Sequence, residues 1–120
     1  MDTEKITAFL REFVHSRDWD KFHTPKNLAM ALAGEAGELL ELFQWLTPEE
    51  SAHVTDDPEK ATALRHEIAD IQVYLLRLAD KLNIDLEAAV WEKMEQNAKR
   101  YPVELSKGHA RKYTELRQSP

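Results

Sequence analysis

The side chains best able to do chemistry here are two pairs of acids. Glu35 and Glu38 stand three residues apart in LAGEAGELLELF, and Glu67 and Asp70 do the same in HEIADIQVYLL. On a helix, residues at i and i+3 have Cβ atoms about 5–6 Å apart, so each pair forms a two-pronged anionic group. Four carboxylates brought together repel, and in a partly buried site they either take up protons or recruit a cation. An all-oxygen donor set favours a hard ion, Mg²⁺ or Mn²⁺, over zinc or copper. Magnesium binds through a few carboxylates together with substrate phosphates, which makes a phosphate-bearing substrate the natural partner. The same spacing also suits a solvated helix face. On that alternative the chain is a non-catalytic helical interaction module.

The elements that must position these acids are helical. Ala, Glu, Lys, Leu and Arg supply 59 of the 120 residues, with three glycines and five prolines for punctuation. That bias goes with long helices and leaves too few turn residues for a β-sandwich, so the chain is read as all-α. The first helix spans Thr3 to His15, with Ile6, Phe9, Leu10 and Phe13 at helical spacing. Residues 17–23 break the period. A second helix opens with Thr24 as N-cap and Pro25 at its first position and runs to about Trp45. Thr47 and Glu50 have the spacing of a capping box for a short helical piece. A third helix runs from the Asp57-Pro58 start to about Leu82, and a fourth from the Asp85 cap to near Tyr101, before Pro102. Residues 103–120 form a polar, basic tail, expected to be partly ordered or to lie on a neighbouring chain. The length predicts a single domain over 1–120.

Positions 28, 32, 35, 39, 42 and 46 form a bundle seam on the second helix. Five of the six are leucines and the sixth is Glu35. A carboxylate in such a seam without a partner would cost several kcal/mol, so Glu35 demands an explanation. On the third helix the matching seam is Leu64, Ile68, Ile71, Leu75, Leu78 and Leu82, with Glu67, Asp70 and Tyr74 to one side. Bundles build polar sites from inward-facing residues of this kind. Gly34 and Gly37 cost about 1 kcal/mol each against alanine inside a helix. Either another helix or a ligand approaches the backbone there, or a well-packed helix tolerates them. Lys93, Asn97 and Arg100 follow i, i+4, i+7 on the fourth helix, a cationic and amide stripe suited to a polyphosphate and equally to a solvated face.

Charge and composition exclude several classes. Sixteen basic residues against 22 acidic ones leave a net charge of −6, a poor basis for binding nucleic acid through its phosphates. With no cysteine there is no disulfide framework, thiolate zinc site or thiol nucleophile. The start, MDTEKITAFLREF, is unlike a secretory signal, and no apolar run approaches a membrane span. A cytoplasmic location with no membrane partner is the expectation. Glu12 with His15, and Glu50 with His53, match the E-x-x-H element of di-iron bundles, but neither falls beside the seam acids.

The runs RDWDKFHTPKNLAMALAGEAGELLELFQW, EIADIQVYLL, KMEQNAKRYP and RKYTEL together resemble the all-α nucleoside triphosphate pyrophosphohydrolases, in the MazG-like dCTP pyrophosphatase branch. The resemblance covers about residues 5–116. It implies a four-to-five-helix bundle assembling as a dimer or tetramer. The implied activity is a Mg²⁺-dependent hydrolase, with Mn²⁺ as a substitute, that cuts a (deoxy)nucleoside triphosphate, dCTP or a modified dCTP, to the monophosphate and pyrophosphate. By position it implies Glu35, Glu38, Glu67 and Asp70 as metal ligands, with Glu38 or Glu35 as the catalytic base. It also implies Trp19, His23, Trp45 and Tyr74 around the nucleotide, and Lys93 and Asn97 on its phosphates. Leu10 stands where dCTP-specific relatives carry a histidine, which bears on base selectivity.

Overall fold

In the computed structural model, which describes residues 1–116, the backbone divides into two compact units, Met1–Asn83 and Ile84–Pro120. No strand occurs among the described residues. Helix α1 spans Thr3–Ser16, α2 Pro25–Glu41, α3 Pro48–Ser51 and α4 Pro58–Lys81 in the first unit. The second unit holds α5 (Leu86–Arg100), α6 (Val103–Ser106) and α7 (Tyr113–Leu116). No helix among the described residues is long and apolar enough to cross a membrane.

Helix starts follow side-chain chemistry that satisfies otherwise unpaired N–H groups. Asp2, Thr24, Thr47, Asp57 and Asp85 each accept from the first turn of their helix. The Thr47–Glu50 capping box closes in both directions, at 3.1 and 2.9 Å. The second helix stops at Glu41, short of the expected Trp45. There Leu42 and Phe43 bond back three residues in tightened turns, and the chain leaves the helix axis. Two residues lie in the left-handed region, Asp18 and Asn83, both at φ 54°. Asp and Asn tolerate it best after glycine. They mark the loop after α1 and the end of α4.

Packing in the first unit is dominated by α2 against α4, with α1 also on α4. All six positions of the predicted α2 seam are wholly or half buried, with Leu28 only 1% exposed. The α4 seam needs correction. Leu64, Leu76 and Ala79 are its buried apolar residues, whereas Ile68 is 53% exposed and Leu82 also lies open. Glu67 turns out half-buried, inside the stripe rather than beside it.

Arg77 is the one charged residue fully buried among those described, at 3% exposure. A buried cation persists only when paired and hydrogen-bonded. Its Nη1 donates to Asp80 and its Nη2 to Asp20, both at 3.3 Å, while Nε donates to His23 Nδ1 at 3.3 Å. Asp80 also accepts two hydrogen bonds from Arg11 of α1, and Asp20 one from Lys81 at 2.6 Å. This network ties α1 and the 3₁₀ turn Asp20–Phe22 to the last turns of α4.

In the second unit Tyr113 meets Tyr101 edge-on, with centroids 6.2 Å apart, and the Arg100 guanidinium lies 4.4 Å over the Tyr113 ring. Leu116 is buried. The predicted tail is therefore ordered in part: 103–106 and 113–116 are helical and Leu116 is buried, most of the side chains between 103 and 115 are exposed, and residues 117–120 lie outside those described. Trp91 is exposed on α5.

The Arg77 network gives stability a defined pH response. Hydrogen bonds from Arg11 hold Asp80 below the ordinary carboxylate value, and the Lys81 bond does the same for Asp20. Their contribution is full above the unfolded carboxylate pKa and is lost as pH falls through the lower folded values. Burial, then the Arg77 charge, depresses the His23 imidazole. The unfolded chain therefore binds that proton first, and stability falls as pH drops below about 6.5. Urea midpoints are expected to be level near neutrality, to decline below about pH 6.5, and to fall again below about pH 4. Asp80→Ala should lower neutral stability by about 1–3 kcal/mol, with the deficit shrinking in acid.

Candidate metal centre

The α2–α4 pairing runs antiparallel, because two contacts fix its direction. His23, just before α2, meets Arg77 near the end of α4, while Glu35, farther along α2, meets Glu67 earlier in α4. This geometry brings the acids together. Glu35, Glu38 and Glu67 each offer a carboxylate oxygen within 4.8 Å of the other two. Glu35 and Glu67 are half-buried and Glu38 is exposed. Asp70, one turn beyond Glu67, is exposed and outside this trio, but close enough for its charge to act on Glu35.

The trio is electrostatically strained. One oxygen of Glu35 and one of Glu67 are buried with no hydrogen-bond partner. Buried carboxylate oxygens are normally satisfied, so an unpaired one on each of Glu35 and Glu67 calls for a donor or a cation. Glu35 is pushed above the ordinary carboxylate range, first by the adjoining Glu67 carboxyl and then by burial. The neighbouring Glu38 carboxyl works the other way, while the charges of Glu67 and Asp70 add to the rise. The donor set is wholly oxygen, and two of its members each carry a buried oxygen with no partner among the described residues. It fits a hard divalent cation.

Other predicted site residues are more dispersed. Trp19 opens the 3₁₀ turn after α1, with its ring edge-on to Phe13 at 5.9 Å and its backbone N–H bonded to Val14 O at 3.0 Å. His23 closes that turn, half-buried, with Nδ1 occupied by Arg77. Trp45 projects from the segment after α2, 87% exposed. Tyr74 is half-buried on α4, two turns beyond Glu67. Lys93 and Asn97 belong to α5 in the second unit, where Lys93 donates to Gln96 at 3.0 Å and Asn97 contacts the Met94 sulfur at 3.9 Å. Leu10 is part of the core.

Gly34 and Gly37 give no sign of close packing among the described residues, since a Cβ on either would meet nothing within 4 Å there. Neither E-x-x-H pair contributes to the trio. His15 is exposed on α1, and His53 sits beside Asp56 at 3.6 Å. Sequence reasoning missed Arg77. Its only signal was its spacing three residues before Asp80 on the helix that carries Glu67.

The cluster predicts a thermal response. Mg²⁺ or Mn²⁺ at about 100 times its dissociation constant should stabilise the chain by about 2.7 kcal/mol. Glu67→Gln should abolish that gain while raising the metal-free melting temperature, since it removes one of the mutually repelling charges. Differential scanning calorimetry with and without EDTA reads both effects.

Comparisons with known proteins agree with this architecture. The profile of the MazG-like family matches residues 31–116, across both units. The chain is 49% identical over 113 residues to a protein of Bos taurus named dCTP pyrophosphatase 1, covering 94% of this chain and 67% of that one. The Homo sapiens protein of the same name is 46% identical over 113 residues, covering 94% and 66%. The chain thus spans about two thirds of the length of these relatives. The crystal structure of a pyrophosphatase from Archaeoglobus fulgidus superposes with a TM-score of 0.79 at 43% identity, covering 85% of this chain and 94% of that one. The helix that bears Glu35 and Glu38, the helix that answers it with Glu67, and the segments around them are those of the MazG-like family, to which this chain belongs.

Proposed function

We propose that the chain is a divalent-metal-dependent nucleotide pyrophosphohydrolase that converts dCTP, or a modified dCTP, to the monophosphate and pyrophosphate. The observation that carries this reading is the 46–49% identity, over 94% of the chain, to proteins named dCTP pyrophosphatase 1. Support from the chain itself is the carboxylate trio with its two unpaired buried oxygens. Glu35 and Glu67 would hold the ion, completed by Glu38 and Asp70. Mg²⁺, with Mn²⁺ as substitute, would supply charge neutralisation for the triphosphate and for departing pyrophosphate.

The protein's own groups do the rest. Glu38, the exposed member of the trio, is open to water and takes the proton of the attacking water as general base. Trp19 and Trp45 offer ring faces for stacking on a base. His23 and Tyr74 supply polar edges, and the family resemblance offers Lys93 and Asn97 as phosphate ligands. Leu10 is buried and apolar, so base selection rests on the other groups. Assembly as a homodimer or homotetramer would cover the exposed Met30, Leu40 and Ile68. Both units would belong to one domain, acting in the cytoplasm on a free nucleotide.

Incubation with dCTP, 5-methyl-dCTP, dUTP, dTTP and the ribonucleotides, with Mg²⁺, should release pyrophosphate fastest from a cytosine deoxynucleotide. Glu38→Ala and Asp70→Ala should each cut turnover by at least about 10²-fold with helicity retained by circular dichroism. No release from any nucleotide by folded protein would overturn the reading.

A further inference from the structure

We propose that Arg77 is a positioning residue that fixes His23 as the neutral Nε2–H tautomer, so that His23 presents the nucleotide with a single donor and reads an acceptor atom on it. The proposal rests on the activity above for the identity of the ligand. The assignment of the ring rests on geometry alone.

Arg77 Nε lies 3.3 Å from His23 Nδ1 and donates to it. A guanidinium has five N–H donors, no acceptor and no accessible deprotonated form. Nδ1 must therefore offer its lone pair, and in a neutral imidazole the proton then sits on Nε2. Arg77 cannot turn away to release the ring. Its other two nitrogens are engaged by Asp80 and Asp20, and those carboxylates are themselves gripped by Arg11 and Lys81. At 3% exposure the guanidinium has no solvent to retreat into.

Protonating His23 would aim an Nδ1–H at a cation. Burial opposes the imidazolium first; of the charged groups acting on the ring, Arg77 and Lys81 add to the opposition and Asp20 favours the charged form. Nε2 has no hydrogen-bond partner among the described residues. It is the nitrogen left for a ligand. Asp20 belongs to the same short turn as Trp19 and His23, so the Arg77 fork sets the position of the turn together with the state of the ring.

Nitrogen-15 long-range correlation spectra of the full chain, labelled at histidine, read the tautomer directly. Wild-type His23 should show a protonated Nε2 and an unprotonated Nδ1 at pH 7. Arg77→Lys keeps a cation between Asp20 and Asp80 but lacks the Nε–H, so it should show mixed tautomers. Its KM for the best nucleotide should rise about tenfold, the worth of one hydrogen bond, with kcat within about twofold. In a His23→Gln background the same substitution should change KM no further. An Nδ1–H or imidazolium form in the wild type at pH 7 would overturn the proposal. So would an Arg77→Lys variant with wild-type spectrum and KM, or full additivity with His23→Gln. A wild type that turns over no nucleotide would overturn the activity and the nucleotide-reading role, and the spectrum would still decide the Arg77–His23 relation.

Discussion

The structure depends on placing a negative charge where an apolar side chain belongs. Glu35 occupies a seam position between leucines, and the antiparallel return of α4 sets Glu67 against it with Glu38 alongside. Neither buried oxygen finds a donor among the described residues. Repulsion of this kind opposes folding, and it persists only where something outside the fold offsets it. A divalent ion carrying a polyphosphate is such a counterweight, and the absence of nitrogen or sulfur donors from the cluster narrows the choice to hard cations.

At the other end of the same helix pair the charge problem is inverted. Arg77 is a buried cation, and there the fold itself supplies the counterions, Asp20 and Asp80, each braced by a second base. Under the proposed activity the contrast separates a structural charge from a functional one. The satisfied network fastens α1, the 3₁₀ turn and α4 into one frame, whereas the unsatisfied trio is left open for a ligand. Both are carried by α4, Glu67 and Arg77 lying ten positions apart, so the rigidity of one helix relates the aromatic turn to the acids.

Much of this was legible in the sequence because helices announce themselves by period and by caps. Thr24-Pro25, Thr47 with Glu50, and Asp57-Pro58 mark the helix starts by local chemistry, and the α2 seam follows from leucine spacing alone. The α4 seam was misplaced because apolar residues recur there on more than one face. Ile68 and Leu82 fit the period as well as Leu76 does, and only the packing partner decides between them. The end of α2 was hidden for a similar reason: Leu42, Phe43 and Trp45 continue an apolar pattern through a turn that no glycine or proline marks. Arg77 escaped notice because a buried cation looks like any surface arginine until its partners, 54 and 57 residues away, are placed beside it. The acid pairs could be seen, but their convergence rests on long-range packing that no local pattern encodes.

The early stop of α2 at Glu41 separates two parts of the molecule that the sequence runs together. Glu35 and Glu38 stand on a helix held by the core, while Trp45, four residues past its end, stands on a stretch outside it. Substitution of Trp45 itself, between the half-buried Phe43 and Leu46, can therefore occur without shifting the acids. Under the proposed activity, descendants of one ancestor could drift in the base they favour while the phosphate-cleaving apparatus stays unaltered, a division of labour suited to enzymes that must keep pace with a changing range of damaged nucleotides.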